Sequence, residues 1–202
     1  MINQRLFDQY NINTKKHLGI TNRCPRPFDT ILIDKNGSCY ACECTSWLPQ
    51  SIGNLQIKTL DEIICSPIHE HLQQSILDKS FRYCNEHQCT YIRKGDVKNT
   101  NTAVTYIEHL RLAIDDSCNL RCPSCRSNLI FYKEGSQYDK RIKLANKINT
   151  WLQNLIHPCT VHIGSDGDPF ASHVYRYFME HTPSSDQIKY SLLTNGLLIK
   201  EF

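Results

Sequence analysis

The sequence predicts an α/β fold: a small α+β unit over residues 20–93, then a strand–helix–strand–helix–strand run over 107–202. Two observations carry this expectation. Leu110, Leu112 and Ile114 alternate as in a strand, and Ile142, Ala145, Ile148, Leu152, Leu155 and Ile156 then recur at helical spacing. The cysteines, 11 of 202 residues, fall into two sets separated by the polar, aperiodic stretch Lys94 to Thr102. The chain therefore divides into a segment 1–19, a cysteine-bearing unit 20–93, a linker 94–106 and the βα run 107–202.

In the first unit, Thr30-Ile31-Leu32-Ile33 and Ser38-Cys39-Tyr40 flank Asp34-Lys35-Asn36-Gly37. Asn-Gly accommodates positive φ at little cost, so a β-hairpin is expected. Thr59-Leu60-Asp61-Glu62 has capping-box spacing and should open a short helix. Ser66-Pro67 should cap another, with Ile68, Leu72 and Ile76 on one face.

In the second unit, the first strand should end near Asp115 and lead into a cysteine-rich loop. The long helix should run until His157-Pro158 stops it. Val161-His162-Ile163 reads as the second strand, followed by a Gly-Asp-rich loop and a helix from about His173 to His181. Ile188 to Leu193 is the third strand, closed by Thr194-Asn195-Gly196. This order implies parallel strands with right-handed crossovers, and such sheets place chemistry on the loops after the strands' C-terminal ends.

Charge and hydropathy narrow the function class. With 23 basic and 20 acidic residues the formal net charge is +3, too balanced for a nucleic-acid footprint. No stretch approaches the roughly 20 apolar residues that span a bilayer, and the opening residues lack a signal-peptide core. A soluble, cytoplasmic protein is expected, with no membrane partner. A disulfide scaffold would need an export signal and favours an even cysteine count. In a reducing compartment, clustered cysteines serve as metal or cluster ligands.

Cys118-Asn119-Leu120-Arg121-Cys122-Pro123-Ser124-Cys125 has the spacing CxxxCxxC directly after the first strand of the βα run. Three thiolates in one loop can wrap a [4Fe–4S] cluster and leave one iron open. Zinc is the alternative, but structural zinc uses four protein ligands in two pairs. Cys159, a possible fourth, precedes the second strand and so belongs to the opposite end of the sheet.

This loop resembles the radical S-adenosylmethionine (radical SAM) superfamily, whose signature is CxxxCxxC after the first strand of a partial (β/α) barrel. The resemblance implies that Cys118, Cys122 and Cys125 bind the cluster. The open iron would take the amino and carboxylate groups of S-adenosylmethionine (SAM), and its reductive cleavage would yield a 5′-deoxyadenosyl radical that abstracts hydrogen from substrate. An external one-electron reductant is then a partner. Family members commonly carry an aromatic residue before the third cysteine, where this chain has Ser124. Gly164-Ser165-Asp166-Gly167-Asp168-Pro169 is similar to the family's GGEP motif, with Gly167, Asp168 and Pro169 matching its last three positions. Those residues, and Asn195 after the third strand, are the implied SAM contacts. A helix-capping turn is the alternative reading of Thr194-Asn195-Gly196.

The N-terminal set resembles a SPASM or twitch domain, which binds an auxiliary iron–sulfur cluster. Cys24-Pro25-Arg26-Pro27-Phe28, Cys42-Glu43-Cys44, Trp47-Leu48-Pro49, Ile52-Gly53-Asn54-Leu55 and Cys84 to Cys89 form the matching series. The implied ligands are Cys24, Cys42, Cys84 and Cys89, with Cys44 competing for the place of Cys42; a Cys₄ zinc site is the alternative. Cys39, Cys65 and Cys159 read as plain thiols. The substrate class implied by such relatives is a peptide or protein.

The barrel has about six βα units in the family, and about three fit here. The chain thus reads as the first half of a core, left with an unpaired edge strand: a fragment, a half completed by a partner, or a remnant. Two other function classes remain beside the enzyme, a non-catalytic metal-binding module and an electron-transfer module.

Overall fold

One six-stranded sheet takes strands from both cysteine-bearing units. The computed structural model describes residues 24–43, 45, 48, 50–85, 87–94 and 106–201. The segment 1–19, residues 95–105 of the linker, Cys44, Trp47 and Pro49 lie outside them.

The elements are α1 (Arg26–Asp29), β1 (Thr30–Asp34), β2 (Ser38–Ala41), β3 (Gly53–Asn54), α2 (Leu60–Ile64), α3 (Pro67–Leu77), α4 (Thr90–Arg93), β4 (His109–Ala113), α5 (Ser136–Gln153), β5 (Cys159–Ile163), α6 (His173–Glu180) and β6 (Ile188–Leu192), with a 3₁₀ turn at Ile199–Glu201. The strand order is β3-β2-β1-β4-β5-β6. β1, β4, β5 and β6 run parallel, whereas β2 and β3 fold back antiparallel.

The hairpin expected from Asn-Gly forms, with Ile33 opposite Cys39 and Gly37 at φ 78°. Its place differs from the expectation. β1 pairs along its whole length with β4, from Thr30 opposite His109 to Asp34 opposite Ala113. A two-stranded hairpin is marginal alone, and Thr30 to Ile33 are buried on both faces. The run behaves as a central strand of a parallel sheet.

Register sorts the side chains onto two faces. Ala41, Ile31, Leu110, Val161 and Tyr190 share one row, and Cys39, Ile33, Leu112, Ile163 and Leu192 the next. This face packs against Leu144, Ala145, Ile148 and Leu152 of α5, Val174 and Phe178 of α6, and Leu60 and Ile63 of α2, all in one apolar core. Each of these Leu, Ile, Val and Phe side chains contributes about 1.5–3 kcal/mol on burial. The other face is polar and half-buried, with Arg111 beside His162, and His109 beside Thr160.

Local signals set the helix ends. Thr59 and Glu62 complete a reciprocal capping box, and Ser66 accepts from the His69 N–H ahead of Pro67. α5 begins at Ser136, earlier than the apolar period indicates, after Gly135 at φ 88°, and it ends at Gln153, before His157-Pro158. β6 is the last strand in the order. Tyr190 and Leu192 point to the helix side but are 38% and 41% exposed, since no helix among the described residues covers them.

Candidate functional site

Because β4, β5 and β6 are parallel, the loops that follow them meet at one edge of the sheet. The three-cysteine loop is pinched at its base by a bridge between Cys118 and Ile130, the Cys118 N–H donating to the Ile130 carbonyl at 3.0 Å. Within it the Cys125 N–H donates to the Cys122 carbonyl at 2.9 Å, making a tight turn. Cys118 is buried, and Cys122 and Cys125 are exposed.

The Gly-Asp loop fits against the base of this loop through its glycine. Gly167 has φ 73°, and a Cβ there would lie 2.5 Å from the Ser117 carbonyl oxygen. The next residue, Asp168, is 1% exposed and ties three loops together. Its backbone N–H donates to the Ser117 carbonyl at 2.8 Å. Its Oδ1 accepts from the N–H groups of Phe170 at 3.0 Å and Ala171 at 3.2 Å. Its Oδ2 accepts from Thr194 Oγ1 at 2.7 Å and the Asn195 N–H at 2.8 Å. Both carboxylate oxygens are thus engaged within the protein. Pro169 is buried beside it, its ring against Gly164.

Asn195 reaches the cysteine loop. Its Nδ2 lies 3.9 Å from Cys118 Sγ and donates to Asn119 Oδ1 at 2.8 Å. Its Oδ1 also accepts from the Leu197 N–H at 3.0 Å, so the turn caps the following segment as well.

Sequence reasoning missed the support beneath the loop. Asp115 and Arg141 form a buried ion pair, and Arg141 also reaches Asp116 at 2.7 Å. Ser172 Oγ donates to Asp115 Oδ2 at 2.6 Å, and Lys35 from the hairpin turn meets Asp116 at 2.5 Å. Burial raises the Asp116 carboxyl, but Lys35 and Arg141 outweigh it and hold the group below its ordinary range. Arg141 shares the apolar face of Leu144, Ala145 and Ile148, and a charge at such a position was the available signal. Tyr132 lies under its guanidinium at 4.0 Å, and Tyr138 packs on the core, so both aromatics are used structurally.

Beside this edge, on the polar face of the sheet, a pocket of about 370 Å³ is lined by Leu32, Asp34, Tyr40, Ala113, Ser165 and Asp166. Burial raises the Asp166 carboxyl above its ordinary range, helped by Asp116 and opposed by Lys35.

The N-terminal cysteines lie toward the other end of the strands. Cys24 precedes β1, and Cys42, at φ 66°, follows β2 with its N–H on the Thr30 carbonyl at 3.0 Å. Burial pushes the Cys24 thiol up to about 11; the Arg26 backbone N–H opposes this, and nearby Cys89 and Asp29 add to it. Cys84 and Cys89 occupy the loop between Phe81 and α4. Cys39 and Cys159 are buried, and burial raises both thiols to about 12, which fits plain core thiols. His69 bonds the carbonyls of Ile64 and Pro27, a structural use.

Among the described residues no three His, Cys, Asp or Glu side chains converge closely enough to hold a metal ion. The three cysteines of the loop are thus present as donors but are not gathered into one site in this structure. Two of the loop's three sulfurs face N–H groups: the Leu120 N–H lies 3.4 Å from Cys118 Sγ, and Arg126 Nη2 lies 3.4 Å from Cys125 Sγ. Such donors stabilise thiolates, the form that binds iron. Set against family models, curated proteins and solved structures, the chain matches none of them.

Proposed function

We propose that this chain belongs to a radical SAM enzyme whose core includes residues 107–202, with Cys118, Cys122 and Cys125 holding a [4Fe–4S] cluster. An auxiliary iron–sulfur cluster belongs to Cys24, Cys42, Cys84 and Cys89. The single observation that carries the reading is the gathering of the CxxxCxxC loop, the Gly-Asp loop and Asn195 at the C-terminal edge of a parallel sheet. Chemistry in sheets of this kind sits at that edge.

When bound, the cluster and SAM supply reductive cleavage to a 5′-deoxyadenosyl radical and hydrogen abstraction, with the electron coming from an external donor. The protein's own residues position and shield. Asp168 sets the spacing of the three loops, and Gly167 lets the Gly-Asp loop reach the cysteine loop. Asn195 presents an amide beside Cys118. The pocket bordered by Asp166 and Tyr40 gives room for a ligand next to the loop, and a peptide or protein is the substrate class in this reading.

One observation favours a second reading, an electron-transfer module without radical chemistry. Both oxygens of Asp168 are already bonded, so an incoming ammonium would have to displace one of its present donors.

Electron paramagnetic resonance of the anaerobically reconstituted, reduced protein separates the two. A [4Fe–4S]⁺ signal that changes on adding SAM is expected. A signal indifferent to SAM leaves the electron-transfer module, and zinc without iron overturns both. Replacing Cys118, Cys122 and Cys125 by Ala should remove one cluster and spare the other.

A further inference from the structure

Away from the three loops, the polar face of the sheet holds an arginine in the middle of a central strand. Arg111 of β4 has Leu32 of β1 on one side and His162 of β5 on the other. Arginine is seldom buried unless paired, and the pairing of Arg111 is incomplete. Its Nε is buried and completes no hydrogen bond among the described residues. Glu43 Oε1 lies 2.8 Å away as an ion pair off the line of the N–H, and the same carboxylate serves Arg26 at 3.8 Å. Two guanidinium groups thus share one carboxylate. The Nη groups of Arg111 have no acceptor among the described residues. His109 and His162 lie beside it, their ring nitrogens 3.3 Å apart. Burial first, then Arg111, His109 and Arg26, lowers the His162 pKa to about 4, as a surplus of positive charge requires.

From this geometry we infer that the polar face carries an oxyanion site centred on Arg111, which takes the carboxylate or phosphate of a small ligand. A planar fork of N–H groups matches either oxyanion with two parallel bonds. The ligand would supply the acceptor that the guanidinium lacks and balance the second cation. Glu43 already shows that a carboxylate is accepted here, and the Arg111 side chain, 27% exposed, is open to a second one. Room lies next to it. Leu32, opposite Arg111, and Ala113, two residues along β4, line the pocket of about 370 Å³ bordered by Asp166 and Tyr40. A ligand lying in that pocket can therefore reach the guanidinium with its anionic end. The site needs neither iron nor SAM, so it stands or falls apart from the reading above.

The test is a titration of the full chain at pH 7 with inorganic phosphate and, separately, with acetate, sodium chloride keeping the ionic strength constant. The ring-proton resonances of His109 and His162 report on binding. Saturable shifts are expected with at least one probe, and the tighter probe tells whether the ligand's oxyanion is a phosphate or a carboxylate. Arg111→Met should weaken binding about tenfold or more. Arg111→Lys keeps the charge without the fork and should fall between. Glu43→Gln removes the competing carboxylate and should tighten binding about tenfold. Shifts that do not saturate with either probe overturn the inference, as does equal binding by the wild type and a folded Arg111→Met variant. If the Met variant does not fold, Glu43→Gln carries the test, and an affinity equal to wild type then overturns it.

Discussion

At the level of single residues, the site is held together by buried polar groups whose partners lie on other loops. Asp168 is the clearest case. A buried donor that loses its acceptor costs about 1–3 kcal/mol, and Asp168→Ala would strip the acceptor from four donors on two loops at once. We expect a loss of about 3–5 kcal/mol in urea unfolding, against about 1 kcal/mol for Asp168→Asn, which keeps an oxygen. A loss under 1 kcal/mol for the Ala variant would show that the loops find other partners. His162 offers a second check. Burial, with Arg111, His109 and Arg26 nearby, lowers its pKa to about 4 from an ordinary 6.5, and its Nε2 lies 3.3 Å from His109 Nδ1. Between those values the unfolded chain binds the proton and the folded chain does not. Stability should therefore fall as pH drops from 6.5 to 4. In His162→Gln that part of the pH dependence should vanish; an identical slope in the variant would exclude His162 as its source.

At the level of elements, loops after parallel strands close on one another because glycines permit contact between backbones. Gly167 combines positive φ with a neighbouring carbonyl where a Cβ would stand. Gly167→Ala should cost about 1–3 kcal/mol from the backbone alone and should push the Gly-Asp loop off the cysteine loop. Amide exchange at Asp168, whose N–H now donates to Ser117, would report it as faster exchange. Protection equal to wild type would mean that the loops adjust without separating. Helix and strand identities were largely legible from local signals. The capping box at Thr59 and Glu62 and the Asn-Gly hairpin came from adjacent residues. The early start of α5 was not legible, because its first turns are polar and are held by Arg141 reaching across to Asp115.

At the level of the whole molecule, the two cysteine-bearing units share one sheet and one apolar core. Ties across the linker reinforce it: Lys147 Nζ donates to the Leu55 carbonyl at 2.6 Å, and Trp151 Nε1 to Asp61 at 2.9 Å. The full chain should unfold in a single transition by circular dichroism and tryptophan fluorescence. The piece 107–202 should show no cooperative transition, since β4 would lose β1 along its whole length. A well-folded 107–202 fragment would show instead that the two units fold independently.

What the sequence determined by itself was local chemistry: the CxxxCxxC spacing, the Gly-Asp turn, the helix caps, and the order of strands and helices. These depend on residues a few positions apart. The sequence also held a hint that β1 is central, since Ile31-Leu32-Ile33 is a continuous apolar run with no alternation. Only the tertiary structure decided that β1 joins β4, that Arg126 and Asn195 face cysteine sulfurs, and that Asp168 joins three loops. Strand pairing is chosen by burial of two faces at once, and a buried carboxylate takes whichever donors the fold brings near. Neither choice is encoded at a fixed spacing along the chain.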